Sequence, residues 1–324
     1  MRILITGGAG FIGSHIVDAA IASGHSVAVV DNLWQHGGGR RENVHPQARC
    51  YLVDIRHAAG LSAVFAVERP EVVCHHAAQA SVKLSTDEPA QDAQINVLGL
   101  INVLQASVQV ATRKVIFASS AAIFGSASSL PLTPEAPAMP ESPYGITKMV
   151  SEHYLRFWKA AYGLEYTALR YGNVYGPRQN CHGEAGVIAT FMRRILDGQG
   201  VRIDWDGEQS RDFVYVGDVA RANLLALEHG DGQVLLVGTG VPTSINAIYQ
   251  QLATLTGRSA PITHAPKRQG DIYQTYFDIT RTVQVLGWQP QFDLAAGLQD
   301  TVNYFRSQTI PSVPACSMPL ANRG

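Results

Sequence analysis

A tyrosine, a lysine and two serines have the residue types and the spacing for moving a proton. Tyr144 and Lys148 are four residues apart, so on a helix their side chains share one face. The ammonium group would lower the pKa of the phenol toward neutrality, and the phenolate could then take a proton from a substrate hydroxyl while hydride leaves the same carbon. Ser119 and Ser120 end a predicted strand, where ligands bind in open α/β sheets, so a serine there could hold the reacting hydroxyl.

A glycine-rich segment at residues 7–13 follows a predicted strand and precedes a predicted helix. Its glycines permit a tight turn and a close approach of the backbone to a pyrophosphate, which would sit on the unpaired N–H groups of the helix N-terminus. Asp31 ends the next strand and can accept both hydroxyls of an adenosine ribose. Its charge would repel a 2′-phosphate, which favours NAD over NADP, although Arg40 and Arg41 nearby keep NADP open.

Short β-branched runs alternate with stretches of helical length through the first half of the chain. Together with later runs they predict strands at residues 2–5, 26–30, 50–53, 71–74, 114–119, 166–171 and 233–237. Continuous apolar runs of this kind are typical of strands that are buried on both faces of a sheet. The predicted fold class is therefore α/β, with a doubly wound parallel Rossmann sheet and a smaller interleaved α/β substrate domain.

The composition of the chain changes past about residue 172, where Gly, Pro, Asn and Gln become common. We therefore predict an NAD-binding Rossmann domain formed by residues 1–171 and 212–238. A smaller substrate domain is predicted from residues 172–211 and 239–307. Prolines and small residues predict a loose tail at 308–324.

Composition and charge exclude several classes of function. The 324 residues carry a formal net charge of −1, without the basic face that a nucleic acid or a membrane surface requires. No apolar run reaches the roughly 18 residues of a membrane span, and the N-terminus lacks the pattern of a signal peptide. The cysteines are irregularly spaced, so we expect reduced thiols in the cytoplasm. Cys74, His75 and His76 alternate across a strand, which argues against a metal site.

Two predicted helices carry more apolar residues than packing on a sheet requires. Between residues 92 and 111 the apolar positions cover more than one helix face, and the helix at 144–162 is similar. Deep burial within one chain would explain this pattern, but we favour a homodimer in which each subunit contributes the helix pair. Leu100 and Leu104 are predicted to lie in that contact.

Several long motifs stand in the order that is typical of one enzyme family. They are TGGAGFIG at 6–13, DN at 31–32, HHAAQASV at 75–82, SSAAIFG at 119–125, SPYGITK at 142–148, RYGNVYGPR at 170–178, GEQSRDFVYV at 207–216 and RQGD at 268–271. The chain resembles the extended short-chain dehydrogenases/reductases, specifically the nucleotide-sugar epimerase/dehydratase family, and within it most closely the UDP-glucose 4-epimerases. The resemblance extends to about residue 290.

This resemblance implies a role for each of a set of residues. Tyr144 is implied to be the base, with Lys148 binding the nicotinamide ribose and Ser120 assisting proton transfer. In addition to Tyr144 and Lys148, the implied NAD contacts are Gly7, Gly10, Phe11, Ile12, Gly13, Asp31, Asn32, Asp54, Ile55, Ala77, Ala78 and Asn96. The implied contacts to the sugar nucleotide are Ser120, Asn173, Arg211, Arg268, Asp271 and Thr275. The arginines also suit phosphate oxygens on physical grounds, because a guanidinium group can donate two parallel hydrogen bonds.

The implied reaction oxidises a UDP-sugar at C4 with NAD, lets the 4-keto sugar rotate and returns hydride to the opposite face. NAD is regenerated, so it should stay bound. Phe124 replaces a tyrosine that is common in the family, and Asp204, followed by Trp205, stands where an aromatic residue often meets the base. Ala121 and Ala122 replace the acid and base of the dehydratases, so loss of water lacks its machinery.

Other activities on this scaffold remain as alternatives, namely dehydratase, reductase, decarboxylase and C2 epimerase, together with a non-catalytic NAD-binding protein. The presence of both Tyr144 and Lys148 argues against the last of these. Thr275 aligns with a position that borders the C2 substituent of the sugar and is a tyrosine in some members. Threonine leaves room for an N-acetyl group, which predicts turnover of both UDP-glucose and UDP-N-acetylglucosamine. The alternative is that Thr275 faces away from the site.

Overall fold

The computed structural model describes residues 1–34, 37–127, 129–181, 186–267 and 272–308. Arg268 and Asp271, which are two of the predicted substrate contacts, lie outside the described residues. All but the first residue of the predicted loose tail, 308–324, also lies outside them.

The strands and helices alternate along the first half of the chain. The strands are β1 (Arg2–Thr6), β2 (Ser26–Asp31), β3 (Arg49–Leu52), β4 (Val72–His75), β5 (Lys114–Ser120), β6 (Glu165–Tyr171), β7 (Asn173–Tyr175), β8 (Val201–Asp204), β9 (Ser210–Tyr215), β10 (Gln233–Val237), β11 (Pro242–Ser244), β12 (Ile262–Ala265) and β13 (Gln274–Thr275). The helices are α1 (Phe11–Ala22), α2 (Ala58–Glu68), α3 (Val82–Asp87), α4 (Pro89–Ala93), α5 (Gly99–Gln109), α6 (Pro143–Tyr162), α7 (Val187–Leu196), α8 (Val216–Ala226), α9 (Ile245–Thr256), α10 (Thr280–Leu286) and α11 (Leu294–Ser307). In the described part of the chain, none of these helices combines the length and the apolar character needed to cross a membrane.

The main sheet has seven strands in the order β10-β6-β5-β4-β1-β2-β3, and every neighbouring pair is parallel. All seven strands coincide with the predicted ones to within a residue or two, so the predicted doubly wound parallel sheet is confirmed. The strand order reverses between β1 and β4, which opens a crevice at the carboxyl ends of these strands.

Side chains of alternate residues on the central strands point to opposite faces of the sheet and belong to two separate hydrophobic cores. Ile3 and Ile5 pack toward helices α1 and α8, while Leu4 packs toward α2, α5 and α6 on the opposite face. This two-sided burial explains why the strands are continuously apolar, since each face of the sheet is covered by helices.

A third core lies among the later elements, apart from the main sheet. It joins Phe191 and Met192 of α7, Ile248 of α9 and Leu298 of α11, and it also includes Phe213 of β9. Strand β9 pairs with β7, β11 and β13 in a second, small sheet. Helix α8 follows β9 directly and packs against the main sheet. The domain boundaries that we predicted from composition remain a prediction.

The helical region before β5 is continuous, with a π-helical turn at Gln94–Leu98 that joins α4 to α5. Leu100 and Leu104 are completely buried in the core between α5 and the main sheet. The prediction that these two leucines form a contact between subunits is therefore wrong, because they face inward. The exposed large apolar side chains of this region are others, namely Leu98 on the π-helical turn and Ile146, Phe157 and Tyr162 on α6.

Candidate active site

A cavity of about 730 Å³ opens at the carboxyl edge of the main sheet, where the strand order reverses. Every residue of the predicted NAD set except Asn96 lines this cavity, from the glycine turn at one side to Tyr144 and Lys148 at the other. Arg40 and Arg41, which left NADP as an alternative cofactor in the sequence analysis, are not among the described residues that line the cavity.

The three key glycines of the turn between β1 and α1 differ in what an added side chain would meet. Gly7 adopts a φ of +72°, and a Cβ at Gly13 would lie 2.1 Å from the carbonyl oxygen of Gly7. A Cβ at Gly10 would meet only that same oxygen, at 3.2 Å, and would otherwise project into open space. Helix α1 begins directly after Gly10 without a side-chain cap, so the turn can offer backbone N–H groups to an anion.

Asp31 ends β2 and closes the next side of the cavity. Its carboxylate is almost completely buried and accepts hydrogen bonds from the backbone N–H groups of Ala9 at 3.0 Å and Leu33 at 2.8 Å. Burial raises the pKa of Asp31, and these two hydrogen bonds oppose the rise. The carboxylate thereby ties the glycine turn to β2 and keeps further lone pairs for ribose hydroxyls.

The far end of the cavity carries a polar group of three side chains. Asn32 donates to Asp54 at 2.9 Å, and Arg56 forms two hydrogen bonds with the same carboxylate, at 2.9 and 2.7 Å. Hydrogen bonding from Arg56 lowers the pKa of Asp54 to about 2, so Asp54 is ionised at neutral pH. Ile55 adds an apolar surface beside this group.

Tyr144 and Lys148 occupy the first turns of α6, as the sequence predicts. Ser142 accepts a hydrogen bond from the N–H of Gly145, and Pro143 takes the first helical position, so the helix start is strongly specified. Lys148 is 4% exposed and donates to the carbonyl oxygen of Ala118 at 2.8 Å. The Lys148 ammonium lies 5.7 Å from the centre of the Tyr144 ring. The predicted proximity of these two residues is thus present in the structure.

The pKa of Tyr144 differs from the sequence-based expectation. We expected Lys148 to lower it toward neutrality, but burial raises it to about 12, while hydrogen bonding with Ser120 acts in the opposite direction. The physical reason is that burial removes water from the phenolate, and the resulting loss of solvation free energy exceeds the stabilisation that nearby groups of the protein provide. Burial also lowers the pKa of Lys148 to about 8. A further positive charge in the cavity would act against this rise and favour the phenolate.

Ser119 and Ser120 at the end of β5 have different partners. The hydroxyl of Ser119 donates to Glu152 on α6 at 2.7 Å, and Glu152 also accepts two hydrogen bonds from Arg170 on β6, at 2.9 and 2.8 Å. Ser120 accepts from the N–H of Ala122 at 3.2 Å and is the serine that interacts with Tyr144. Phe124, the departure from the family pattern, is buried and stacks under Arg170 at 4.8 Å.

Asn96 lies behind the cavity wall rather than in it. It is 3% exposed, its side-chain oxygen accepts from the N–H of Gln79 at 2.9 Å, and its amide donates to the Gln79 carbonyl at 2.9 Å. Asn96 therefore holds in place the segment after β4, whose residues 77–81 do line the cavity. The same amide also donates to Asp92 at 2.9 Å and contacts Thr147 on α6 at 3.2 Å, and neither of these residues was singled out from the sequence.

Tyr171 and His76 are further cavity residues that sequence reasoning missed. Asn223 donates to the Tyr171 hydroxyl at 2.8 Å, and that hydroxyl lies 2.9 Å from Nε2 of His76. Burial lowers the pKa of His76 to about 3, so its ring is neutral at physiological pH. The rule that selected Ser119 and Ser120 would also have found Tyr171, because Tyr171 ends the next strand of the sheet.

Three of the predicted substrate contacts share one face of the small sheet around β9, while the fourth contact within the described residues, Ser120, ends β5 of the main sheet. Thr275 pairs with Arg211 in parallel register, and Asn173 pairs with Phe213, two residues beyond Arg211. Residues paired in register and residues two apart point to the same side of a sheet. Asn173, Arg211 and Thr275 are therefore on the same side, although none of them lines the NAD-sized cavity.

Asp204 is the last residue of β8, and Trp205 follows it directly. The carboxylate of Asp204 forms an ion pair with Arg202 at 2.8 Å. Trp205 has its ring covered by Lys267, 4.2 Å from the ring centre, and meets Tyr273 edge-on at 5.0 Å. The aromatic surface in this part of the molecule is thus supplied by Trp205 and Tyr273 and not by the residue at position 204.

The same residues 3–238 that build the main sheet and the cavity match one family model, described as the NAD dependent epimerase/dehydratase family. The chain belongs to this family. Three solved structures are closely similar over 95% of the chain. A UDP-glucose 4-epimerase from Thermotoga maritima, solved with UDP-glucose, is 46% identical, with 99% of that chain covered and a TM-score of 0.92. A UDP-glucose 4-epimerase from Thermus thermophilus, solved with NAD, is 42% identical, with 100% of that chain covered and a TM-score of 0.90.

The third structure is a UDP-N-acetylglucosamine 4-epimerase from Methanobrevibacter ruminantium in complex with UDP-N-acetylmuramic acid. It is 36% identical, with 98% of that chain covered and a TM-score of 0.89. Together these findings confirm the predicted family, the Rossmann fold and the dependence on NAD.

Proposed function

We propose that this protein is an NAD-dependent UDP-sugar 4-epimerase that interconverts UDP-glucose and UDP-galactose. The observation that carries this proposal is that Tyr144 and Lys148 line the same cavity as the glycine turn and Asp31. A proton-accepting phenol therefore faces the space that a dinucleotide would fill. Membership of the epimerase/dehydratase family and the similarity to 4-epimerases solved with UDP-glucose and with NAD support the assignment.

The cavity fits NAD. The open space above Gly10 leaves room for a pyrophosphate against the backbone N–H groups of α1. Asp31 would hold the adenosine ribose, the Asn32–Asp54 pair would lie toward the adenine, and Lys148 would hold the second ribose. When bound, NAD supplies the oxidation and the re-reduction of the sugar at C4.

The proton chemistry belongs to three residues of this chain. Tyr144 takes the proton of the C4 hydroxyl and returns it after the sugar has rotated, and Ser120 orients that hydroxyl and passes its proton to the phenol. Lys148 contributes a positive charge beside Tyr144, and the oxidised nicotinamide ring contributes a second one. The two charges together oppose the burial that raises the pKa of Tyr144 to about 12.

The substrate's nucleotide end is assigned to the small sheet. Arg211, together with Arg268 outside the described residues, would bind the diphosphate, since guanidinium groups match phosphate oxygens. Asn173 lies on the same sheet face as Arg211, and Asp271 would lie near the nucleoside. Trp205 offers an aromatic surface for the base. Binding energy concentrated on the nucleotide leaves the sugar free to turn between the two half-reactions.

We also propose that the protein is a homodimer formed through α6 and the π-helical turn that follows α4. Phe157 and Tyr162 are 54% and 57% exposed and lie near each other, with ring centres 6.3 Å apart, and Leu98 is 54% exposed. Clustered exposed apolar side chains of this size are typical of an interface. Replacing both aromatic residues by serine should give monomers in sedimentation velocity. Val67→Ser, a matched control at an exposed valine on α2, should leave the dimer intact.

The setting that we propose for this enzyme is the cytoplasm. Cys50 and Cys74 are free thiols in the structure, which agrees with a reducing compartment. Fractionation of the source cells with antibody detection would test this placement, and recovery of the protein outside the cytoplasmic fraction would contradict it.

A dehydratase is the family alternative against which the structure offers a specific observation. Ala121 and Ala122 form a short helical turn directly after Ser120 and carry no titratable group. Removal of water from the sugar would need an acid and a base near this point, and Ala121 and Ala122 supply neither. A reductase or decarboxylase differs in consuming or accumulating the reduced cofactor, which an assay can measure.

Incubation of the purified holoenzyme with UDP-glucose, without added NAD, tests the proposed function. We expect UDP-galactose to form, and the reaction started from UDP-galactose should reach the same final ratio. Tyr144→Phe is the matched inactive variant, since it removes only the phenolic oxygen. Formation of a keto product, release of carbon dioxide or stoichiometric accumulation of NADH would favour another reaction of the family.

A further inference from the structure

Lys148 is a buried cation with few groups to balance its charge. Its only hydrogen bond within the described residues is to the uncharged carbonyl of Ala118, and its ammonium also lies 4.8 Å from the centre of the Phe117 ring. A buried ammonium group without a nearby negative charge loses its proton readily, because the neutral amine is cheaper to desolvate. Some group must therefore keep Lys148 protonated if it is to act as a cation beside Tyr144.

The titratable groups around Lys148 come from three elements. His75 and His76 at the end of β4 are neutral, because burial lowers the pKa of both rings to about 3. Glu152, on α6 itself, is ion-paired through both oxygens with Arg170, and it raises the pKa of Lys148 less than Asp92 does. Burial raises the pKa of Tyr144, which favours its uncharged form. The group that acts most strongly in favour of a charged Lys148 is Asp92 on α4.

Asp92 is completely buried and accepts hydrogen bonds from neutral donors alone. One oxygen accepts from Gln79 Nε2 at 2.8 Å and from Asn96 Nδ2 at 2.9 Å, and the other accepts from the Thr147 hydroxyl at 2.8 Å. Burial raises the pKa of Asp92, and the hydrogen bonds donated by Thr147 and Gln79 oppose that rise because they favour the carboxylate form. Unlike Glu152, Asp92 has no ion pair with an arginine or a lysine among the described residues.

We propose that Asp92 is a positioning residue that keeps Lys148 cationic and fixes the first turns of α6, on which Tyr144 stands. The positional link is Thr147, which adjoins Lys148 in sequence and is three residues from Tyr144. The π-helical turn at 94–98 places Asn96 between Asp92 and the cavity wall, so one buried cluster holds both the wall and the catalytic helix. This inference rests on the roles proposed above for Tyr144 and Lys148.

A direct test measures the ionisation of Lys148 itself. The chain contains five lysines, so a spectrum of protein labelled with 13C at lysine Cε is simple, and Lys148→Arg assigns the signal. In Asp92→Asn we expect the midpoint of the Lys148 titration to fall by about one pH unit or more. Asp218→Asn, which removes another buried carboxylate that does not line the cavity, should leave the midpoint unchanged.

The pH profile of turnover gives a second signature. The charge of Asp92 raises the pKa of both Lys148 and Tyr144, so its removal lowers both. Both limbs of the kcat profile should therefore move to lower pH in Asp92→Asn. A purely structural role would instead lower kcat or Tm without moving either limb.

Thr147→Val separates position from charge, because it removes the hydroxyl and leaves the carboxylate. It should lower kcat without moving the Lys148 midpoint, and Thr147→Ser should restore kcat. If Asp92→Asn does not fold, Asp92→Ser replaces it, since a hydroxyl can still accept from the amides and leaves room for a water.

An unchanged Lys148 midpoint in a folded Asp92 variant would overturn the proposal. This outcome is distinguishable from failure of the proposed function, which would appear as full turnover in Tyr144→Phe or as absence of 4-epimer from the wild-type enzyme. The lysine spectrum reports on Asp92 in either case, because it does not depend on turnover.

Discussion

Two alanine substitutions in the glycine turn should separate cofactor binding from folding. In Gly10→Ala, the new Cβ would touch only the Gly7 carbonyl oxygen at 3.2 Å, and the backbone at Gly10, with φ −82° and ψ −178°, suits an alanine. We expect the free energy of unfolding of the apo-protein to change by less than about 1 kcal/mol. The methyl group would occupy the space proposed for the pyrophosphate, so overpacking should cost about 1–3 kcal/mol of NAD binding, which is roughly a 5- to 150-fold loss of affinity.

Gly13→Ala should have the opposite pattern. Its Cβ would lie 2.1 Å from the Gly7 carbonyl oxygen and 2.8 Å from the Gly7 carbonyl carbon, and neither backbone atom can move without disturbing β1. We expect a loss of unfolding free energy of about 3 kcal/mol, at the upper end of typical overpacking costs. Urea denaturation of the apo-proteins and calorimetric titration with NAD measure both quantities. Unchanged NAD affinity in Gly10→Ala would refute the placement of the pyrophosphate, and a fully stable Gly13→Ala would refute the packing argument.

Three further predictions concern the base, the sugar and acid stability. Tyr144→Phe should lower turnover by about a hundredfold or more while the protein keeps its fold and bound NAD, and activity within about threefold of wild type would remove Tyr144 from the mechanism. Thr275→Tyr should abolish turnover of UDP-N-acetylglucosamine and spare UDP-glucose, because it adds bulk on the sheet face of Arg211; a wild-type enzyme inactive on the N-acetyl sugar would contradict the argument. His75 and His76 have folded-state pKa values of about 3, below the unfolded value of 6.5, so their stabilising contribution is present above pH 6.5 and is lost as the pH falls toward 3. The unfolding free energy should fall by at most about 2.7 kcal/mol per pH unit in this window. A slope of about 1.4 kcal/mol per pH unit would mean that only one ring has a depressed pKa, and a flat urea-denaturation profile would show that neither ring has one.

The main sheet was predictable because its strands are buried on both faces, and burial leaves a direct signal in the sequence. Runs such as residues 3–5 and 115–118 are continuously apolar. The residues that end such strands, Asp31 and Ser120 among others, lie at the carboxyl edge as the fold class requires. The residues that line the cavity proposed for NAD were largely predictable for the same reason, since they come from strand ends and from one local glycine turn.

Burial among distant elements was harder to predict. The apolar pattern at 92–111 does not distinguish a core face from a face between subunits, and Leu100 and Leu104 belong to the core. Asn96 has a residue type that suits the cavity, but the π-helical turn carries it behind the wall. No local sequence signal marks that turn. The contacts that hold Asn96 there come from Gln79 and Thr147, which lie far from it in the sequence.

The electrostatics of the base depend on three-dimensional burial, which spacing alone does not report. Tyr144 and Lys148 share a helix face as predicted, yet desolvation sets the direction of both pKa shifts. The proposed balance of Lys148 by Asp92 comes from a different helix, and it could be inferred only once the neutral His75 and the ion pair of Glu152 with Arg170 were known.

The central claim is that this chain epimerises a UDP-sugar by oxidation and re-reduction at C4 with a cofactor that stays bound. Incubation of the holoenzyme with UDP-glucose carrying deuterium at C4, in ordinary water and without added NAD, tests it most directly. We predict UDP-galactose that retains the deuterium at C4, read by NMR and mass spectrometry. UDP-galactose that carries protium at C4, or the absence of any 4-epimer, would contradict the account.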